Sequence, residues 1–437
     1  MRDSLFTKGI NCTMYAAGTI IAIFFFIPFA LQCSLGWPQE GTRWQRFCVA
    51  AHPHRLLRQW QAIGGQLMMV AYLRLRYRWH RIYTSPSPSS LTIAKDLLYS
   101  SQGSKLDVYA AAPEAARKPQ PPSPLRSPCA VFVHGGAWAS GDKELYAAVG
   151  AELVSAGFVA VIPNYAKYPV AEMPTIEAEL VDCMLWLVAN GAEHGIDASK
   201  VTLIGHSAGA HICASVLLTM ANAACKTHPK GDAGAAGARA AGAATSALLS
   251  PGRGLDDEVL LASLLPRISA FVGAAGVYDI ALHFLHEASR GVEWVSPMWR
   301  VMQGKDNFAS HSPGPRVRRM SLQEAADVDE VQPLAAAAAA AAAVPAHPAR
   351  QTVAGALSHC ALHVLHGSID ATVPVQASVG FCTELEAAGV AVTLHVLDGV
   401  DHMDLLLALM SEANGGKLSN ATVRADLRQL TASLANR

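Results

Sequence analysis

The chain has 437 residues, 51% of them hydrophobic, and its 34 basic and 34 acidic residues give a formal net charge of zero. That length suits one large α/β domain with an appendage, and the neutral balance argues against a nucleic-acid binder, whose phosphate contacts need a basic excess. The nine cysteines form no CxxC pair and show no Cys/His ligand spacing, so neither a metal nor a disulfide framework is expected. They read as reduced, buried thiols, which favours a main domain that faces the cytosol.

Charge is distributed unevenly. Residues 1–83 carry ten basic and two acidic residues, so a surplus of positive charge sits at the N-terminus. Thr13 to Leu31 is almost unbroken apolar sequence, long enough at about 1.5 Å per residue to cross a hydrocarbon core, and predicts a transmembrane anchor. A second, shorter candidate segment at 60–73 contains Gly64, Gly65 and Gln66 and suits the interface. Arg74, Arg76, Arg78 and Arg81 alternate with Tyr77 and Trp79 in the manner of an interfacial belt. The positive-inside rule then places this side in the cytosol. Asn11 and Asn420 head glycosylation sequons by spelling only.

The stretch 84–94, with Ser85-Pro-Ser-Pro-Ser-Ser, reads as a linker, and residues 95–437 as the catalytic domain. Beyond the linker, apolar runs alternate with helical patterns, the signature of an α/β sheet. Candidate strands fall at 97–99, 105–109, 130–134, 159–163, 201–205, 268–273, 361–366 and 392–397. Helices are predicted over 175–189 and from Ala208 to Met220. Eight strands in this rhythm predict the α/β-hydrolase fold, a mostly parallel sheet flanked by helices. Two low-complexity stretches, 231–249 and 335–349, interrupt the rhythm; being rich in Ala and Gly, they read as surface insertions.

Gly205-His206-Ser207-Ala208-Gly209 fits a nucleophile elbow, the sharp strand-to-helix turn that lifts a serine hydroxyl above a sheet. A serine hydroxyl is a weak nucleophile at neutral pH and needs a base and a group to orient that base. The order serine, acid, histidine is available. Asp370 follows the seventh candidate strand, and His402 follows the eighth. Asp398 and Asp401 are rivals for the acid role.

His134-Gly135-Gly136-Ala137-Trp138 fits a loop that turns backbone N–H groups toward the same point. Donors from Gly135, Gly136 and Ala137, with Ala208 at the start of the elbow helix, would stabilise an oxyanion. His206 is grouped with the oxyanion and substrate-binding residues, yet it and His211 read as scaffold of the elbow and its helix rather than as extra bases, and His134 reads as a brace for its loop. Trp138 suits an acyl pocket or simple packing equally. Trp294, Met298, Trp299, Met302 and Phe308 read as core, with a lid wall as the alternative.

Together these motifs resemble the hormone-sensitive-lipase-like carboxylesterases and, more closely, the plant isoprenylcysteine α-carbonyl methylesterases. The likeness rests on Leu106–Tyr109, Gly135–Trp138, Pro163–Tyr165 with Pro169, Ser207–Ile212, Gly276–Asp279, His366–Asp370 and His402–Leu405. It covers most of residues 95–412. The resemblance implies a membrane-anchored serine esterase that demethylates C-terminal prenylcysteine methyl esters without a cofactor, on endoplasmic-reticulum or Golgi membranes. Ser207, Asp370 and His402 would be its triad. Its partners would be the prenylated, methyl-esterified cysteine and membrane lipid. The chain departs from that pattern at His134, where Thr is usual, and at His206, where Gln is usual. A general carboxylesterase or an arylformamidase-like hydrolase remains the alternative, and a non-catalytic small-molecule receptor a more distant one.

Overall fold

In a computed structural model of the protein, the residues described are 25–30, 32, 41–83, 91–112, 126–227, 257–339, 351–410 and 421–436. The chain divides into two compact units, one drawn from Met1–Leu75 with Phe284–Arg300 and the other from Arg76–His283 with Val301–Arg437.

In the smaller unit, helix α1 (Arg43–Ala50) opens on a capping box. The Thr42 hydroxyl accepts from the Gln45 N–H at 3.3 Å while the Gln45 side chain accepts from the Thr42 N–H at 2.8 Å. These bonds satisfy two otherwise unpaired groups at the helix end. Helix α2 (Pro53–Tyr83) follows with proline at its first position, where a missing N–H costs nothing. The segment 284–300 is held to α2 by Gln59, whose side-chain amide donates to the Gly291 carbonyl at 3.0 Å, and by a 2.7 Å ion pair between Arg55 and Glu293. Trp294 is buried there between Phe284 and Trp299 in edge-on contacts, a core role rather than a lid wall.

The larger unit is built on an eight-stranded sheet: β1 (Leu91–Leu98), β2 (Lys105–Ala111), β3 (Ser127–Val133), β4 (Val159–Pro163), β5 (Ile196–His206), β6 (Ile268–Ala274), β7 (Ala361–Gly367) and β8 (Val392–Leu397). The spatial order is β1-β2-β4-β3-β5-β6-β7-β8. β2 runs antiparallel to both β1 and β4, and the remaining pairs are parallel. Central strands are buried on both faces by crossover helices, which is why β3, β4 and β6 read as continuous apolar runs. This is the α/β-hydrolase fold expected from the sequence. β1 begins at Leu91, inside the stretch read as a linker, and Lys95 and Asp96 within it hide the strand from a hydrophobicity pattern.

Helices α3 (Ala147–Ser155), α4 (Met173–Asn190) and α5 (Ala208–Lys226) follow β3, β4 and β5 respectively. α5 is the one helix among the described residues long and apolar enough to cross a membrane, and 89% of that window is buried. It is a core helix of the hydrolase unit. The transmembrane segment predicted at 13–31 lies largely outside the described residues, as do the insertion at 231–249 and most of that at 335–349. Residues 60–73 lie within α2, with Met68 exposed. Among the described residues no cysteine is in a disulfide; Cys129, Cys183, Cys213, Cys225, Cys360 and Cys382 are buried as expected, whereas Cys48 is exposed.

Candidate active site

β5 ends at His206, and α5 starts at Ala208, so Ser207 occupies a one-residue corner. Its backbone has φ 55° and ψ −121°, a left-handed setting that strains any residue with a Cβ. The corner closes because its glycines lack side chains: a Cβ on Gly209 would collide with the Val133 carbonyl at the end of β3, and one on Gly205 with the start of α5. Ser207 is half-buried while both of its neighbours are buried, so the hydroxyl stands at the surface of the corner.

Asp370 lies in the loop that follows β7, and His402 opens the helix that follows β8. His402 Nδ1 lies 2.7 Å from Asp370 Oδ2. An ionised carboxylate only accepts, so the proton is on Nδ1 and Nε2 is left as a base. Asp370 Oδ1 accepts from the backbone N–H groups of Thr372 and Val373 at 2.8 and 2.9 Å. Burial opposes ionisation of this fully buried side chain, but donors on His366 and His402, with the Val373 N–H, outweigh it and hold the carboxyl well below the usual range.

The rival carboxylates are occupied elsewhere. Asp398 accepts from the Ser368 hydroxyl at 3.1 Å, and Asp401 caps helix α6 (His402–Ala408) through a capping box.

His366 was not singled out as a site residue by sequence reasoning. Its Nε2–H is shared between the Val373 carbonyl at 3.0 Å and Asp370 Oδ2 at 3.3 Å, and the Ser378 hydroxyl donates to Nδ1 at 2.6 Å. Its position four residues before Asp370 was visible, but the pairing depends on how the loop after β7 turns back.

Gly135 approaches the nucleophile closely: a Cβ there would come 2.9 Å from Ser207 Cβ. The loop continues through Gly136, Ala137 and Trp138, all at positive φ. Among the described residues, the N–H groups of Gly136, Ala137 and Ala208 meet no carbonyl acceptor. α5 has no acid in its first turn, so the partial positive charge of its N-terminus stays available beside Ser207.

His134 braces this loop. Its ring stacks between Tyr146 and Tyr165, and its Nδ1 lies 2.8 Å from the Gly135 carbonyl. Burial lowers its pKa to about 4, so it is neutral at ordinary pH. Trp138, 2% exposed, packs rather than lining an open pocket, and its indole N–H donates to His211 Nδ1 at 3.3 Å. His211 in turn donates from Nε2 to the His311 carbonyl at 2.7 Å.

For His206 the structure favours the scaffold reading over the substrate-binding one. Grouped from the sequence with the substrate-binding residues, it is 3% exposed and turned inward, with Nε2 3.1 Å from the main-chain oxygen of His402. A carbonyl can only accept, so Nε2 carries the proton. Burial, then the neighbouring His402, lower the His206 pKa to about 3. The two rings lie 4.8 Å apart.

The chain is similar to known esterases. The BD-FAE family matches residues 117–236. The chain is 24% identical over 358 residues to a probable isoprenylcysteine alpha-carbonyl methylesterase of Arabidopsis thaliana, an alignment covering 80% of this chain and 70% of that protein. A rice counterpart is 23% identical over 342 residues, covering 78% of this chain and 63% of its own length. In three dimensions the chain is similar to esterase B from Lactobacillus rhamnosis, with a TM-score of 0.53 and 14% identity over 87% of this chain and 97% of that one. The chain is a carboxylic ester hydrolase. The sequence resemblance to the plant methylesterase thus covers most of the esterase.

Proposed function

We propose that the esterase demethylates C-terminal prenylcysteine methyl esters, with Ser207 as nucleophile, His402 as general base and acid, and Asp370 as the group that orients His402. The observation that carries the reading is the 2.7 Å bond between Asp370 and His402, made by loops at the same end of the sheet as the Ser207 corner. The methyl ester and its prenyl chain are inferred from likeness to the plant methylesterases.

In this mechanism Ser207 Oγ attacks the ester carbonyl carbon as its proton passes to His402 Nε2. The tetrahedral oxyanion is received by N–H groups of the Gly135 to Ala137 loop and of Ala208. The carbon–methoxy bond then breaks, and methanol leaves with the proton from His402. Water, deprotonated by the same imidazole, attacks the acyl-enzyme, and the collapse of the second oxyanion returns the proton to Ser207 Oγ and frees the carboxylate. Asp370 remains ionised throughout and stabilises the imidazolium.

Residues 13–31 would anchor the enzyme in an endoplasmic-reticulum or Golgi membrane, with the catalytic unit in the cytosol. A farnesyl or geranylgeranyl ester partitions into the same bilayer, so the two meet at raised local concentration. Retention of the intact chain in membranes through a carbonate wash is expected; release would remove the anchor from the proposal.

The catalytic assignment is tested by fluorophosphonate labelling and by turnover. Ser207→Ala should abolish labelling, and Ser207→Ala or His402→Ala should lower kcat by about 10⁵ to 10⁶. Labelling that survives Ser207→Ala would overturn the assignment. For specificity, kcat/KM for a farnesylcysteine methyl ester should exceed that for a simple aryl ester. Equal values would reduce the enzyme to a general carboxylesterase.

A further inference from the structure

We propose that the N-terminal unit carries a docking face for an anionic phospholipid surface, formed by α1, the start of α2 and residues 288–291, with a cleft that receives a lipid phosphate. The inference deepens the membrane reading above and does not depend on the Ser207 chemistry. It also stands apart from the anchor at 13–31.

The cleft has a volume of about 390 Å³, and Arg55, Arg58, Arg290, His52 and His54 line it together with apolar Val49; among the described residues no acid lines it. Arg55 is held in place by Glu293, through Nη2 at 2.7 Å, while its buried Nε–H meets no acceptor among the described residues. The first turn of α2 contains His54 and Arg55 and no acid. Glu293 offsets one of the cations at the positive end of this 31-residue helix, and further anionic charge would be favourably placed there. A phosphate group matches both the charge and the fork geometry of arginine.

Helix α1, which lends Cys48 and Val49 to the cleft, also carries exposed apolar side chains. Trp44 is 71% exposed and stacks on Phe47, with ring centroids 5.6 Å apart, while Arg43 and Arg46 sit in the same helix. Phe47 and Val49 are exposed as well. Tryptophan and phenylalanine interleaved with arginine suit the headgroup layer of a bilayer, where the rings leave water and the cations meet lipid phosphate. The excess of ten basic over two acidic residues in 1–83 supplies the complementary sign.

The test is hydrogen–deuterium exchange on the intact chain with liposomes of phosphatidylcholine alone and with about one third phosphatidic acid, a level chosen to give a strongly negative surface. Backbone amides of 41–58 and 288–291 should exchange about tenfold more slowly with the anionic liposomes, as expected where a surface contact raises the local opening energy. Arg58→Glu should weaken this protection by about fivefold or more, the worth of one cation near such a surface. Trp44→Ser with Phe47→Ser should also reduce it. Hydrolysis of a soluble aryl ester should stay unchanged in these variants, showing that they are folded. Equal exchange with both liposomes would overturn the proposal, as would full protection by glycerol phosphate without anionic lipid, which would make the cleft a site for a soluble anion. An enzyme that survives the carbonate wash yet shows equal exchange would retain its anchor and lose this face.

Discussion

The buried imidazole of His206 donates from Nε2 to the main-chain oxygen of His402, 3.1 Å away, so the residue before the nucleophile holds the loop of the proposed base. On its other side, a Cβ at Gly135 would come 3.2 Å from His206 Nδ1. One ring therefore spaces the oxyanion loop, the nucleophile corner and the histidine loop.

If this spacing sets the geometry, His206→Ala should lower kcat by about tenfold to a hundredfold with little change in KM, the scale expected when a catalytic group shifts by about an ångström. His206→Gln retains a side-chain N–H donor and should recover most of the loss. Steady-state kinetics on an aryl ester would check both; equal kcat in the wild type and the alanine variant would reduce His206 to packing.

Asp370→Asn removes the acceptor that fixes the His402 tautomer. kcat should drop by about 10⁴, the scale known for this change in a triad, while fluorophosphonate labelling slows without disappearing. Normal turnover in this variant would transfer the acid role to another carboxylate.

Three buried histidines should make the fold sensitive to acid. Burial lowers the pKa of His134 to about 4 and those of His206 and His211 to about 3. The unfolded chain binds these protons near pH 6.5, whereas the folded chain does not, so their stabilising contribution is complete above pH 6.5 and is lost as pH falls toward 3. Each contributes a slope of about 1 kcal/mol per pH unit in that window. Melting temperature followed from pH 7 to pH 4 should fall steadily. A flat profile would mean that these rings titrate normally.

Lys143 bridges Asp107 at 2.7 Å and Asp96 at 2.9 Å, and the Lys143 and Asp107 side chains are almost wholly buried. Lys143→Met would strand the Asp107 carboxylate and should cost about 3 kcal/mol or more, measured by urea unfolding. The backbone N–H of Lys143 also donates to Asn164, whose Oδ1 lies 3.3 Å from His134 Nε2, so some loss of kcat is expected as well.

Much of the larger unit was legible because buried parallel strands are written as unbroken apolar runs, as in β3, β4 and β6. The elbow was legible for a different reason. Gly205 and Gly209 answer a local clash, and local clashes leave a fixed spelling. β1 was missed over Leu91 to Asp96 because an edge strand with exposed Lys95 and Asp96 carries no such run. The partners of the site were less visible still. His206 with His402 and Lys143 with Asp107 are joined across 196 and 36 residues, and no spacing rule links a side chain to an acceptor so far along the chain. The inward turn of His206 is decided by a carbonyl that only the completed sheet supplies.

The corner at Ser207 sets stability against activity. A non-glycine residue at φ 55° and ψ −121° holds strain of about 1 to 3 kcal/mol, which the surrounding strands and α5 must offset. Glycine would relieve that strain, yet it would remove the hydroxyl. Selection for a tougher scaffold alone would thus discard the nucleophile first, and its presence at the most strained point of the elbow marks a fold kept for turnover at some expense of robustness.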